Sequence, residues 1–214
     1  MNGKLLLLVC AVVMLFLTGI RRMNYGISLL KWIPITVLIA ILGLLGTYIM
    51  FFLENGKWYG QSFFGAVLFF PILLLPVAAI FRIPIADLLD YATPAGISLL
   101  APFKLNCYLG GCCGGKVLFF DENGIATHFP SQIVEMVVAI VLTIVLMHLE
   151  RKPSFRRKIY PICIIAYGVI RYFLNFFRAE QTDFLFSMPA GNLWSLVSVV
   201  MGILLLVFCR TKKS

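Results

Sequence analysis

The sequence predicts an all-α integral membrane protein of seven transmembrane helices, one of them irregular and broken, with the N-terminus outside and the C-terminus cytoplasmic. Three observations carry that expectation. Hydrophobic residues make up 61% of the 214-residue chain, which has a mean hydropathy of +0.99. Charged residues are only 13%, where ordinary soluble domains hold about 25%. The apolar residues also gather in runs close to the roughly 20 residues that a bilayer core requires. The net charge of +9 does not point to nucleic acid, because the basic residues stand at the ends of apolar runs and no basic stripe is interleaved with stacking aromatics. Lipid headgroups and membrane topology account for it.

The first run, LLLLVCAVVMLFLTGI after Lys4, lacks a small-residue cleavage site and meets Arg21 and Arg22 directly, so it reads as a retained span over 4–20 and not as a signal peptide. A faint lipoprotein-like box at 7–10 comes too early and has the bulky Val9 before Cys10, which reads instead as a packing residue. Spans at 31–53, 63–81, 131–149, 159–178 and 189–209 satisfy the same length rule. Segment 84–115 opens with Asp87 and Asp90 and is broken by Pro94, Pro102 and several glycines. It counts as the irregular span, since interrupted helices are tolerated where the backbone lines a protein-buried cavity.

Charge placement supports seven. With that number Arg21, Arg22 and Lys31, then Arg82, then the basic group from Arg151 to Lys158, then Arg210, Lys212 and Lys213 all fall on one side. The positive-inside rule makes that side cytoplasmic, and leaves loops 54–62, 104–129 and 179–189 outside. No internal repeat, low-complexity tract or linker interrupts the chain, so residues 1–214 read as one polytopic domain.

Three segments carry candidate chemistry. In AYGVIRYFLNFFRAE, Arg171 lies deep in an apolar run, where an arginine costs roughly 2.5–3.5 kcal/mol on insertion scales and so faces a partner, a cavity or a polar ligand. On one helix, Tyr167, Arg171, Asn175 and Arg178 share a face, a cationic stripe suited to an anion; the blander alternatives are snorkelling for Arg178 and an internal acid or carbonyl for Arg171. The second segment, FKLNCYLGGCCGGK, is a tight glycine-rich loop in which Gly110, Gly111, Gly114 and Gly115 permit close backbone approach, and whose N–H groups could cradle a phosphate. It lacks the nucleotide-loop pattern. Cys107, Cys112 and Cys113 leave three readings open: a disulfide from Cys107 to Cys112 or Cys113, a metal site with His128, or small packing residues. Cys163 and Cys209 read as packing residues.

The third segment, THFPSQIVE, has helix-start chemistry at Pro130 and Ser131. Gln132 and Glu135 are three apart on one face and could answer a buried arginine, and His128 stands just before them as a proton acceptor near neutral pH. His148, beside Glu150 and Arg151, reads as interfacial.

Together these segments resemble the prolipoprotein diacylglyceryl transferases, from about Gly60 to Leu206. YGVIRYFLNFFR is similar to the family's Tyr-Gly-x-x-Arg-Phe-x-x-Glu-Phe-x-Arg helix, with Tyr167, Gly168, Arg171 and Arg178 at matching positions and Asn175 in place of the glutamate. HFPSQIVE resembles His-Pro-Ser/Thr-Gln-Leu-Tyr-Glu, with Phe129 inserted and Pro130, Ser131, Gln132 and Glu135 retained. SMPAGNLWS resembles the opening of the last span, with Ser187, Met188 and Ser195 kept and Asn192 replacing a glutamine. Two segments depart from the pattern. GQSFFGAV puts Phe64 where the family's histidine stands, and FKLNCYLGGCCGG puts Lys104 for an arginine and Cys107 for an asparagine; lysine keeps the charge but loses the bidentate fork.

The resemblance implies a bacterial cytoplasmic (inner) membrane enzyme, multi-pass, that moves a diacylglyceryl group from phosphatidylglycerol or a related anionic phospholipid to the thiol of a lipobox-containing prolipoprotein, or to a related acceptor, and releases glycerol phosphate. Arg171, Arg178 and Lys104 would hold the phosphate, Tyr167, Gln132, Gly111 and Asn175 would support it, and with Phe64 unable to take a proton, His128 or Glu135 would substitute as base. No cofactor, metal or nucleic acid is expected. Two other classes remain open from the sequence: a catalytically altered membrane lipid-binding or assembly protein, and a membrane thiol oxidoreductase using Cys107, Cys112 and Cys113.

Overall fold

The computed structural model describes residues 3–112, 114–120, 126–179, 183–185 and 188–211; Cys113 and Ser187 fall outside them. Among the described residues the regular structure is helical apart from two short ladders. The helices are α1 (Gly3–Arg21), α2 (Leu29–Asn55), α3 (Phe63–Leu68), α4 (Phe70–Leu73), α5 (Leu75–Phe81), α6 (Ile85–Ser98), α7 (Leu100–Leu109), α8 (Ser131–Glu150), α9 (Ile159–Asn175) and α10 (Ala190–Thr211). Strands β1 (Val117–Phe120) and β2 (Ala126–His128) pair antiparallel, as do β3 (Asp183–Leu185) and β4 (Met188–Pro189). The all-α expectation therefore holds for the bundle, with two strand pairs added on its connections.

Among the described residues, four stretches are long and apolar enough to cross a membrane, namely Gly3–Tyr25, Leu29–Asn55, Ser131–Glu150 and Ala190–Cys209. A fifth is reached if Phe70–Phe81 and Ile85–Leu109, which meet at a bend of 118°, are taken as one span. The chain is a helical, multi-pass membrane protein. The uninterrupted helix expected over 63–81 is in fact three short ones, because Pro71 and Pro76 each remove a backbone donor and restart a turn, after Phe69 and Leu74 respectively. The expected span 159–178 also ends early, at Asn175.

In α1 the buried residues Leu6, Cys10, Met14 and Thr18 recur every fourth position, so one stripe faces the bundle while Leu7, Leu8 and Phe16 are exposed. In water that pattern would be unfavourable; in lipid it is the expected one. Thr18 Oγ1 accepts hydrogen bonds from Trp32 Nε1 at 3.0 Å and Thr36 Oγ1 at 3.1 Å, which fastens α1 to α2. Across α2 and α3 the backbones touch at Gly46 and Gly65, where a Cβ on Gly65 would overlap the Gly46 carbonyl. Small residues at such crossings let van der Waals packing supply the association that apolar burial cannot supply in lipid. The most enclosed helix is α6, buried at every position except Ile85, Ala86 and Gly96; α1, α8 and α9 pack around it.

Ion pairs lock one end of the bundle. Arg21, expected to flank a headgroup layer, is instead 3% exposed: Nε donates to Glu150 Oε2 at 2.6 Å, Nη1 to the Tyr91 carbonyl at 2.5 Å and Nη2 to the Asp90 carbonyl at 2.9 Å. Asp87 accepts from Arg157 Nε at 3.1 Å and Nη2 at 3.2 Å, and this bonding pushes the Arg157 pKa up. Asp90 Oδ1 accepts the Tyr160 backbone N–H at 3.0 Å, so a carboxylate borrowed from α6 caps the start of α9. Removing one partner of a buried pair leaves the other charged and desolvated. Arg21→Ala is therefore expected to lower stability by about 3–5 kcal/mol, read as a fall in the unfolding midpoint of the purified protein in detergent.

Candidate functional site

At the other end the chain folds back on itself through backbone pairing. Gly115 N–H donates to the Phe129 carbonyl at 3.1 Å, Lys116 N–H to the Phe177 carbonyl at 2.8 Å, and Gly115 bridges Arg178. Only glycine fits there, since a Cβ at 115 would overlap the Phe129 carbonyl and lie 2.9 Å from that of Phe177. This pairing draws residues 176–178 out of the helix. Arg178 thus sits beyond the end of α9 and not on a continuing helical stripe.

Arg171 meets the acid that the helix-start motif offered. Glu135, 3% exposed on the second turn of α8, takes Arg171 Nη1 on Oε1 and Lys104 Nζ on Oε2, the latter at 2.7 Å. The helix start fixes this: Ser131 opens α8 after Pro130, which turns Gln132 and Glu135 inward together. Gln132 Nε2 donates to the Cys112 carbonyl at 2.6 Å and so pins the glycine-rich turn, in which Gly111 adopts φ +67°. Buried groups left without such a partner cost about 1–3 kcal/mol. Gln132→Ala should accordingly loosen the turn locally, seen as faster hydrogen exchange over residues 107–112 while α1 and α6 stay protected.

Lys104, Glu135, Tyr167, Arg171 and Arg178 all line one cavity of about 770 Å³. Much of the wall is apolar and comes from α1, α2, α3 and α6, including Met14, Ile39, Val67 and Ile97. Leu7, Val37 and Leu44 also line it and are exposed on the outside of the bundle, so the apolar part reaches the surface between α1 and α2. Tyr167 is buried with its ring against Phe63 and Phe64, at centroid distances of 5.2 and 5.7 Å. The cavity is thus amphipathic, with Lys104, Arg171 and Arg178 clustered around the Glu135 carboxylate in an otherwise largely apolar hollow.

The other expected site residues lie elsewhere. His128 is exposed on β2, with Nδ1 3.1 Å from the Gly115 carbonyl oxygen; it does not line the cavity. Gln132, Gly111 and Asn175 do not line the cavity: Gly111 is exposed on its turn, while Gln132 and Asn175 are buried, Asn175 against Gly191 at the start of α10. Cys112 is an exposed free thiol whose Sγ lies 3.5 Å from the Cys107 carbonyl, which removes the Cys107–Cys112 disulfide; a bridge to Cys113 lies outside the described residues. Among the described residues no three metal-ligating side chains gather. Cys163 is buried on α9, as expected of a packing residue, and Cys209 Sγ lies 3.4 Å from the Arg157 carbonyl.

Sequence reasoning missed Glu54. It stands on the last turn of α2, lines the cavity, and accepts a 3.0 Å hydrogen bond from Ser62 Oγ. An acid closing an apolar helix reads as a headgroup residue. The available signal was Ser62 eight positions on, beside the two phenylalanines that pack on Tyr167.

Comparison with known proteins converges on one family. The family model for prolipoprotein diacylglyceryl transferase matches residues 5–208. Phosphatidylglycerol–prolipoprotein diacylglyceryl transferase of Clostridium tetani is 26% identical over 141 residues, 60% of this chain and 56% of the relative. The enzyme of the same name from Teredinibacter turnerae is 25% identical over 175 residues, 73% of this chain and 61% of the relative. Phosphatidylglycerol–prolipoprotein diacylglyceryl transferase 2 of Clostridium perfringens is 22% identical over 222 aligned positions, 92% of this chain and 85% of the relative. The first two matches thus span about three fifths of the relatives' length.

Proposed function

The chain belongs to the prolipoprotein diacylglyceryl transferase family, and on that premise we propose that it transfers a diacylglyceryl group from phosphatidylglycerol, or a closely related anionic phospholipid, to a thiol acceptor of the lipobox-prolipoprotein type. The observation that carries this reading is the amphipathic cavity: an apolar hollow open toward the lipid-facing side, with Lys104, Arg171 and Arg178 clustered around Glu135. Acyl tails fit the α1–α2 side and a phosphodiester fits the cations.

Three cations, Lys104, Arg171 and Arg178, outnumber the two carboxylates Glu135 and Glu54 that line the same cavity, and so leave net positive charge for an anionic head. That excess matters most at the moment of transfer, when the leaving glycerol phosphate gains negative charge in a water-poor site and fixed charges act more strongly than in water. Glu135 orients Lys104 and Arg171, holding both side chains in place before substrate arrives. Tyr167 shapes the wall beneath Arg171, while Gln132, Gly111 and Asn175 hold the turn and helix end that present these groups. In this reading all seven helical passes span the bacterial inner membrane, the Arg21, Asp87 and Arg157 end is cytoplasmic, and the cavity's cationic cluster faces outward.

The test is direct. Purified protein given head-labelled phosphatidylglycerol and a lipobox cysteine peptide should release labelled, water-soluble glycerol phosphate in equal amount to lipidated peptide. Retention of lipid with no release would defeat the proposal.

A further inference from the structure

We propose that Glu54 is the group that takes the proton from the acceptor thiol, an inference that rests on the transferase reading above. A thiol attacks only after losing its proton, so the cavity needs an acceptor within it. Glu135 does not serve, because Arg171 and Lys104 occupy its two oxygens. His128 is exposed on β2 and does not line the cavity. The Tyr160 hydroxyl is spent as a donor to the Val67 carbonyl at 2.6 Å. Glu54 differs from all three. Among the described residues it enters no ion pair; its polar neighbours are the neutral donors Ser62, which bonds Oε1 at 3.0 Å, and Trp194, so no cation competes with a proton for the carboxylate.

Placement agrees with chemistry. Ser62 is followed by Phe63 and Phe64, both against the Tyr167 ring, and Tyr167 is one helical turn below Arg171. Glu54 enters from the α2–α3 wall, while the cations enter from α7, from α9 and from the residues just beyond its end. An acid in a hollow that binds an anion opposes binding through like charge. It is reconciled with the site if it acts on the other substrate.

In the proposed step the S–H bond breaks and its proton passes to the Glu54 carboxylate. The sulfur electron pair then forms a bond to the glyceryl carbon that bears the phosphate. The bond from that carbon to oxygen breaks, and its electron pair leaves with glycerol phosphate, whose charge meets Lys104, Arg171 and Arg178. The proton afterwards leaves Glu54 for the released phosphate or for water. No oxidant or reductant takes part.

The experiment compares two acceptor peptides, one with a cysteine thiol and one with a selenocysteine, whose selenol is already ionised at neutral pH. For Glu54→Gln, kcat with the thiol peptide should fall by at least about 100-fold, while phosphatidylglycerol binding and transfer to the selenol peptide stay near wild type. Thiol transfer within about threefold of wild type would overturn the proposal, and so would an equal loss with both peptides, since Glu54 would then hold the site and not move a proton. If Glu54→Gln fails to fold, as judged by lost lipid binding, Glu54→Asp takes its place and should show a smaller deficit, again confined to the thiol. Wild-type protein that binds lipid and transfers to neither peptide would instead sink the transferase reading itself.

Discussion

Arg171→Ala is expected to lower kcat for lipid transfer by roughly 100- to 1000-fold, the loss typical when a preorganised charge that meets a developing anion is removed. The geometry gives the reason. Arg171 is 7% exposed and pointed into the cavity by Glu135, so its charge is desolvated and already placed when the phosphate departs. Water cannot substitute without reorganising. Arg171→Lys should recover part of the rate, because it restores the charge but not the planar fork that holds a carboxylate and a phosphate together. Turnover per folded molecule, with headgroup release as the readout, checks both variants; an Arg171→Ala protein with wild-type kcat would remove the central cation from the mechanism.

The second large effect concerns stability. Glu135→Ala leaves Lys104 and Arg171 facing each other in a low-dielectric site without their shared counter-ion, and should cost about 3–5 kcal/mol. Both cations are largely buried, at 13% and 8% side-chain exposure, so solvent screens them little. The measurement is the unfolding midpoint in detergent, with and without phosphatidylglycerol. An anionic lipid head can stand in for the missing carboxylate, so added lipid should raise the midpoint of the variant more than that of wild type, as expected for a ligand that binds only the folded state. Equal shifts would mean that the phosphate does not reach these cations.

What the sequence disclosed and what it concealed follow from the range of the forces involved. The Glu135–Arg171 pairing was legible because a buried guanidinium requires an answer and the α8 start offered one acid on the right face. The breaks within 63–81 were written in Pro71 and Pro76, but an apolar run conceals them when length alone is weighed. Arg178 was misplaced on a helix because nothing local to residues 176–178 announces the pull of Gly115, about sixty residues away in the chain. His128 sits only three positions before Ser131, yet strand geometry sends it to the surface, and sequence proximity carries no information about which way a strand side chain points. Arg21 looked like an interfacial residue because a terminal arginine reads the same whether it meets lipid heads or, as here, Glu150.

The central helix α6 has a consequence for biogenesis. With Asp87 and Asp90 in its first two turns and Thr93, Pro94 and Ser98 after them, it is the least apolar of the long helices and partitions poorly into lipid alone. Its neutralising partner Arg157 is 70 residues further along the chain, as is the Tyr160 amide that Asp90 caps. The nascent polypeptide therefore acquires the partners that satisfy both aspartates only once the start of α9 has been synthesised.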